Sequence, residues 1–199
     1  MPVAPIIHIG GWPGAGKQAV GRIVADRIGG RLIHNHLMLD AARALYARDT
    51  PESKALREEV RGVILAHARA LPPEIPIVLT DALSAGNADA ARLFQPTLDL
   101  ARDRGAPLVC FVLELSVEEN VARLTEPARF GGAKLTDVDI LLSLRERETL
   151  FLPDGAHVLD VTDLTPEQAA DRMLLLAKNT SGVRGLAPGS TLAPTATDA

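Results

Sequence analysis

A chain of 199 residues, 47% hydrophobic and 23% charged, is long enough to bury one sizeable core and short for two, so a single domain is expected. A formal net charge of -4 and a pI near 5.7 argue against a nucleic acid or an anionic membrane as the main partner, because both select a basic face. The expected partner is a small molecule, taken by a monomer or a homodimer. The single cysteine, Cys110, lies in the apolar run PLVCFVLEL and reads as a packed core residue, and it leaves no internal disulfide to form. The amino-terminal stretch MPVAPIIHIGG has no basic, then long apolar, signal pattern, and no run approaches the ~20 apolar residues of a membrane span, so a cytoplasmic protein is expected.

Along the chain, short apolar runs alternate with longer helical patterns. Strands are predicted at Ile6 to Gly10, Arg31 to Asn35, Ile75 to Thr80, Pro107 to Leu115 and His157 to Val161, and their near-continuous apolarity predicts burial on both faces. Between the first two, Val20, Ile23, Val24 and Ile28 form a helical stripe that stops at Gly29 and Gly30. A long helix is predicted from the Thr50 cap and Pro51 to the Pro72–Pro73 break. Before the fourth strand, ADAARLF and PTLDLARDRG supply helix, with Pro96 interrupting and Gly105 closing it. Capping boxes open two more helices, Ser116 to Glu119 and Thr165 to Gln168. Strands alternating with helices predict a parallel sheet covered on both sides. The stretch from Asn179 to Ala199 is small, polar and proline-bearing without periodicity, and is expected to be a disordered tail.

The loop after the first strand carries the chemistry. GWPGAGK, Gly11 to Lys17, fits G-x-x-x-x-G-K, where small residues let successive backbone N–H groups turn inward around phosphate oxygens. Lys17 supplies a mobile cation, and the following helix adds its amino-terminal dipole. Gly11, Trp12, Gly14, Ala15, Gly16, Lys17, Gln18 and Ala19 are the expected phosphate-binding residues. The match sits between a buried strand and an amphipathic helix, the setting that the mechanism requires.

With this loop, Asp81 just past the third strand and arginines between the fourth and fifth, the chain resembles the P-loop small-molecule kinases. That group takes in adenylate-, shikimate- and gluconate-kinase-like proteins and related antibiotic-modifying or resistance ATP-binding proteins. The likeness in element order runs from about Ile6 to Lys178. It implies an α/β P-loop NTPase fold, a three-layer αβα sandwich with a five-stranded parallel sheet and a short lid at about 125–136, in a domain spanning 1–178. It also implies ATP and Mg2+ as cofactors and a nucleoside triphosphate and a small-molecule acceptor as partners.

The acceptor-binding candidates are His34, Asn35 and His36 at the end of the second strand, with Asp40 on the next helix, because ligands of open parallel sheets sit beyond the carboxyl ends of strands. The same histidines also suit strand-end capping by hydrogen bonds. Asp81 ends the third strand, where it can orient a magnesium-bound water or accept the acceptor's proton; a turn aspartate is the plainer alternative. In RLTEPARFGGAKLTD, glycines give mobility while Arg123, Arg129 and Lys134 bring positive charge, which phosphoryl transfer needs on several oxygens. A solvated loop is the alternative there. Arg145 and Arg147 read as a salt-bridged helix face with Glu148 and its neighbours, with one of them pointing to the site as the alternative. The chain departs from the motif at Gln18, where Ser or Thr normally ligates magnesium; the amide oxygen can reach the ion directly or through water, making Gln18 and Asp81 the metal candidates. An ATP-dependent phosphotransferase of a small molecule is therefore expected, with a non-catalytic nucleotide-binding regulator or sequestering protein as the alternative that Gln18 raises.

Overall fold

The computed structural model describes residues 3–48, 50–86, 89–126 and 135–181. In chain order it forms β1 (Ile6–Gly11), α1 (Lys17–Ile28), β2 (Arg31–His34), α2 (His36–Arg43), α3 (Pro51–Ala70), β3 (Ile77–Thr80), α4 (Ala90–Arg104), β4 (Leu108–Glu114), α5 (Val117–Leu124), α6 (Val138–Arg147), β5 (His157–Asp160) and α7 (Pro166–Ser181). The strands make one five-stranded parallel sheet in the order β2-β3-β1-β4-β5.

β1 lies at the centre, and its side chains alternate between two cores. Ile7 and Ile9 pack with Val20 and Val24 of α1 and Met173 and Ala177 of α7. Ile6 faces the other way, with Leu65 and Ala68 of α3 and Leu100 and Ala101 of α4. Two helical layers therefore enclose the sheet. The loops after β1 and β3 lead into helices on opposite faces, which opens a crevice at the carboxyl ends of these neighbouring strands.

Burial on both faces holds for β1, β3 and the middle of β4. It fails at the edges: β5 buries only Leu159 fully, and Val158 is 56% exposed. An edge strand has a neighbour on one side only, and no helix covers both of its faces. β3 begins at Ile77, two residues later than expected, because Ile75 closes a turn onto the Pro72 carbonyl. That turn is clamped by the Arg104 guanidinium, which donates to the carbonyls of Ala68, Leu71, Pro72 and Ile75.

Pro96 does not interrupt α4. The ring removes the N–H that would bond to the Arg92 carbonyl, but the buried stripe of Phe94, Thr97, Leu100 and Ala101 runs straight through it, and packing outweighs one missing hydrogen bond. The capping box at Thr165 forms in full, with Thr165 and Gln168 bonding reciprocally, side chain to backbone. At Ser116 only half of it forms: Ser116 Oγ accepts from the Glu119 amide, while the Ser116 amide donates to Thr162 Oγ1 and the Glu119 carboxylate pairs with Arg123. α7 continues to Ser181, so helix replaces the first residues of the expected tail; 182–199 lie outside the described residues. Among the described residues, no helix is long and apolar enough to cross a membrane.

Candidate functional site

The loop leaving β1 is shaped by contacts beneath it. Gly14 has φ 91°, and a Cβ there would stand 2.6 Å from Nδ2 of Asn120, which is fully buried on α5 and donates to the Pro13 carbonyl at 2.8 Å. Gly16, with φ 86°, is the N-cap of α1 in the left-handed region. The loop therefore curls and delivers its amides to the start of α1. Lys17 lies across it, with Nζ donating to the Gly11 and Trp12 carbonyls, both at 2.7 Å. Trp12 and Ala15 are buried under the loop, and the Arg145 guanidinium of α6 stacks on the Trp12 ring at 5.1 Å.

In front of the loop opens a cleft of about 590 Å³. Gly14, Gly16, Lys17, Gln18 and Ala19 form one wall, and Asn35, His36, Thr80 and Asp81 another. Arg22, Arg48 and Arg57 also line it, so the cleft is strongly cationic around one buried carboxylate. An anionic ligand suits that field. The Asn35 amide donates to Thr80 Oγ1 at 3.4 Å, which ties the loop after β2 to the end of β3.

Asp81 is the carboxylate. His8 of β1 donates from Nε2 to Asp81 Oδ2 at 2.8 Å, with both residues buried, while Oδ1 is buried without a hydrogen-bond partner. Burial pushes the Asp81 carboxyl up, but the charge and hydrogen bond of His8, with Arg61 and Lys17 nearby, outweigh it and hold the group below the ordinary carboxylate range. For His8, burial works against the imidazolium; Asp81, with a smaller contribution from Cys110, raises its pKa to about 9. Arg61 of α3 completes the surroundings: burial lowers its pKa against the pull of Asp81 and Glu58, and it donates to Thr97 Oγ1 at 3.2 Å.

The expected site residues do not all gather here. Gln18, Asn35, His36, Lys17 and Asp81 share the cleft; His34 and Asp40 are not among its described lining residues, and Asp40 is exposed on α2. His34 and His36 have ring centroids 6.2 Å apart. Arg123 is anchored away from the cleft: Nε pairs with Glu119 at 2.6 Å, and Nη2 donates to the carbonyls of Val161, Thr162 and Leu164. Its Nη1 lies 3.9 Å from the place a Gly16 Cβ would occupy, so the guanidinium borders the loop at Gly16. Arg129 and Lys134 lie outside the described residues, as does most of the stretch expected as a lid.

Arg145 leaves the expected salt-bridged helix face and takes the alternative, inward direction. Besides stacking on Trp12 it donates to Asn120 Oδ1 at 2.8 Å and to the Leu115 carbonyl at 3.0 Å, because α6 turns this position inward onto the loop. Arg147 donates to the Ser143 carbonyl within its own helix. Sequence reasoning missed His8, Arg22, Arg48, Arg57 and Arg61. One signal was available for His8: a lone polar residue inside the buried run IIHIG must find a partner. Arg57 and Arg61 share a face of α3 at i, i+4, but so do many solvated charges, and only the fold brings Arg57 to the cleft and Arg61 near Asp81.

No protein-family model matches the chain. A curated relative, a cytidylate kinase of Caldanaerobacter subterraneus subsp. tengcongensis, is 30% identical over 36% of this chain, and the chain spans 37% of that protein's length. Among solved structures, a sugar kinase from Janibacter sp. is similar at 19% identity and a TM-score of 0.57, covering 88% of this chain and 95% of its own. The tunicamycin resistance protein of Deinococcus radiodurans is similar at 19% identity and a TM-score of 0.56, covering 94% and 99%. The thymidylate kinase of Candida albicans is similar at 12% identity and a TM-score of 0.58, covering 89% and 92%. The fold is thus the one adopted by P-loop small-molecule kinases: a five-stranded parallel sheet in an α/β arrangement.

Proposed function

We propose that the protein is an ATP-dependent phosphotransferase acting on a small molecule, a metabolite or a nucleotide-like or antibiotic-like acceptor, in the cytoplasm where ATP is supplied. The observation that carries this reading is the phosphate loop opening onto a cationic cleft whose far wall holds a buried, ionised Asp81. The kinases among the similar proteins support it.

In this reading the backbone amides from Gly11 to Gly16 cradle the β- and γ-phosphates. Lys17 swings from its two loop carbonyls to the outer phosphate oxygens. Asn35, His36 and Arg57 hold the acceptor against the opposite wall. Its hydroxyl oxygen attacks the γ-phosphorus, the bond from that phosphorus to the β,γ-bridging oxygen breaks, ADP departs, and Asp81 takes the hydroxyl proton. Lys17 and the cleft arginines balance the charge that builds on the transferring oxygens.

The residues present fit magnesium. Gln18 and Asp81 both line the cleft, and the orphaned Oδ1 of Asp81 is a hard oxygen suited to a magnesium-bound water. Bound there, the ion would neutralise charge on the phosphates.

Phosphoryl transfer from ATP, measured with magnesium over a panel of hydroxylated acceptors, tests the proposal; Lys17→Ala should abolish it. A second reading, a non-catalytic nucleotide binder, is favoured by one residue, Gln18 in place of the motif hydroxyl. ATP binding by a wild type silent with every acceptor, together with turnover by Gln18→Thr, would select that second reading.

A further inference from the structure

His8 occupies the middle of the central strand, in register with Leu79 on β3 and Cys110 on β4, so hydrogen-bonded strands hold its backbone on both sides. Its ring meets Phe94 of α4 edge-on, with centroids 4.9 Å apart, and only 2% of the residue is exposed. Any apolar residue would fill such a position at lower cost, since a buried imidazole must be compensated by a partner. Here the compensation is one bond, from Nε2 to Oδ2 of Asp81. Asp81 is less rigidly placed, because it is the first residue beyond β3, held at its backbone by a bond from its amide to the Ile9 carbonyl at 3.2 Å. A carboxylate at the mouth of a strand can rotate about its side-chain bonds toward Arg61 or Lys17, both of which attract it. The bond from His8 opposes that rotation. It occupies one oxygen and leaves the other without a partner in a residue lining the cleft. An unpaired buried carboxylate oxygen is costly unless a ligand completes it.

We infer that His8 is a positioning residue: its Nε2–H holds Asp81 Oδ2 so that Oδ1 is kept ready for the acceptor hydroxyl or a magnesium-bound water. This rests on the phosphotransferase reading above and adds a residue outside the cleft, acting only through Asp81. Gln at position 8 can present an amide nitrogen near the place of Nε2, whereas Leu fills the volume and offers no donor.

The experiment combines a rescue, a double-mutant cycle and a structure. His8→Leu should lower kcat by about 10- to 100-fold, the size usual when the partner of an active group is removed, with KM for ATP and the ATP-induced thermal shift little altered. His8→Gln should recover most of that loss. In an Asp81→Asn background, His8→Leu should cost nothing further, because the group it positions is already gone. Equal losses in His8→Leu and His8→Gln, or additive losses in the double variant, would overturn the assignment. If His8→Leu does not fold, His8→Met, which also fills the volume without a donor, supplies the same cycle against Asp81→Asn. A crystal structure of the His8 variant provides a readout that needs no acceptor: an Asp81 carboxylate rotated from its wild-type position supports positioning, and an unmoved one overturns it. A wild type inactive with every acceptor would instead defeat the phosphotransferase reading and leave the structural result to decide the role of His8.

Discussion

At the scale of single residues, the proposed chemistry depends on a few side chains whose effects separate cleanly. Lys17 is half-buried and donates to the Gly11 and Trp12 carbonyls, and in the proposed chemistry Lys17→Ala should remove the cation that meets the phosphates at little cost to folding, because a partly exposed lysine adds little to stability. ATP at about 100 times its Kd should stabilise the wild type by about 2.7 kcal/mol, and a thermal-shift titration should find that gain missing in Lys17→Ala. Gln18 governs turnover more than affinity, since the cradle is built of backbone donors. Gln18→Ala should lower the magnesium-supported rate by about 100-fold, and Gln18→Thr should hold or raise it; initial rates of phosphoryl transfer against magnesium concentration check both. The His8–Asp81 pair also makes stability depend on pH. His8 is raised from 6.5 to about 9, so its contribution is complete below pH 6.5 and drains away as pH rises through about 9. Asp81 is lowered from 3.8, so its contribution is present above that value and is lost as pH falls below it. Denaturant midpoints across pH 5 to 10 should show wild type losing stability relative to His8→Leu between pH 6.5 and 9.

At the scale of elements, local signals placed the starts of α3, α5 and α7, because the capping groups at Thr50, Ser116 and Thr165 act within a few residues of their partners. The reciprocal Thr165–Gln168 bonds are the clearest example, and Thr165→Ala should destabilise the fold by about 1 kcal/mol, measured by chemical denaturation. α4 is the counterexample. Pro96 speaks locally for a break, yet Phe94, Thr97 and Leu100 bury the same stripe on either side of it, and that burial depends on the sheet beneath. Arg145 makes the same point on α6: its spacing suits a solvated ion-pair ladder, but the helix packs so that it reaches Trp12 and Asn120.

Across the whole molecule, two cores on either side of one sheet hold the glycine-rich loop after β1 and the Asp81 turn in fixed relation. Ile9 is fully buried two residues before Gly11, so Ile9→Ala should cost about 2–5 kcal/mol, seen as a lower denaturation midpoint. The sequence by itself determined the alternation of strands and helices, the parallel sheet and the glycine-rich loop after β1, because hydrophobic period, caps and glycine spacing are properties of neighbours along the chain. It also placed Asn35 and Asp81 just beyond the ends of β2 and β3, where a parallel sheet opens to ligands. Only the tertiary structure decided which charges meet at the cleft. His8 and Asp81 are separated by 73 positions, Arg61 comes from a helix between them in sequence, and Arg123 turns to carbonyls beyond β5. Those pairings follow from strand order and helix rotation, which are set by long-range packing and leave no trace in local spacing.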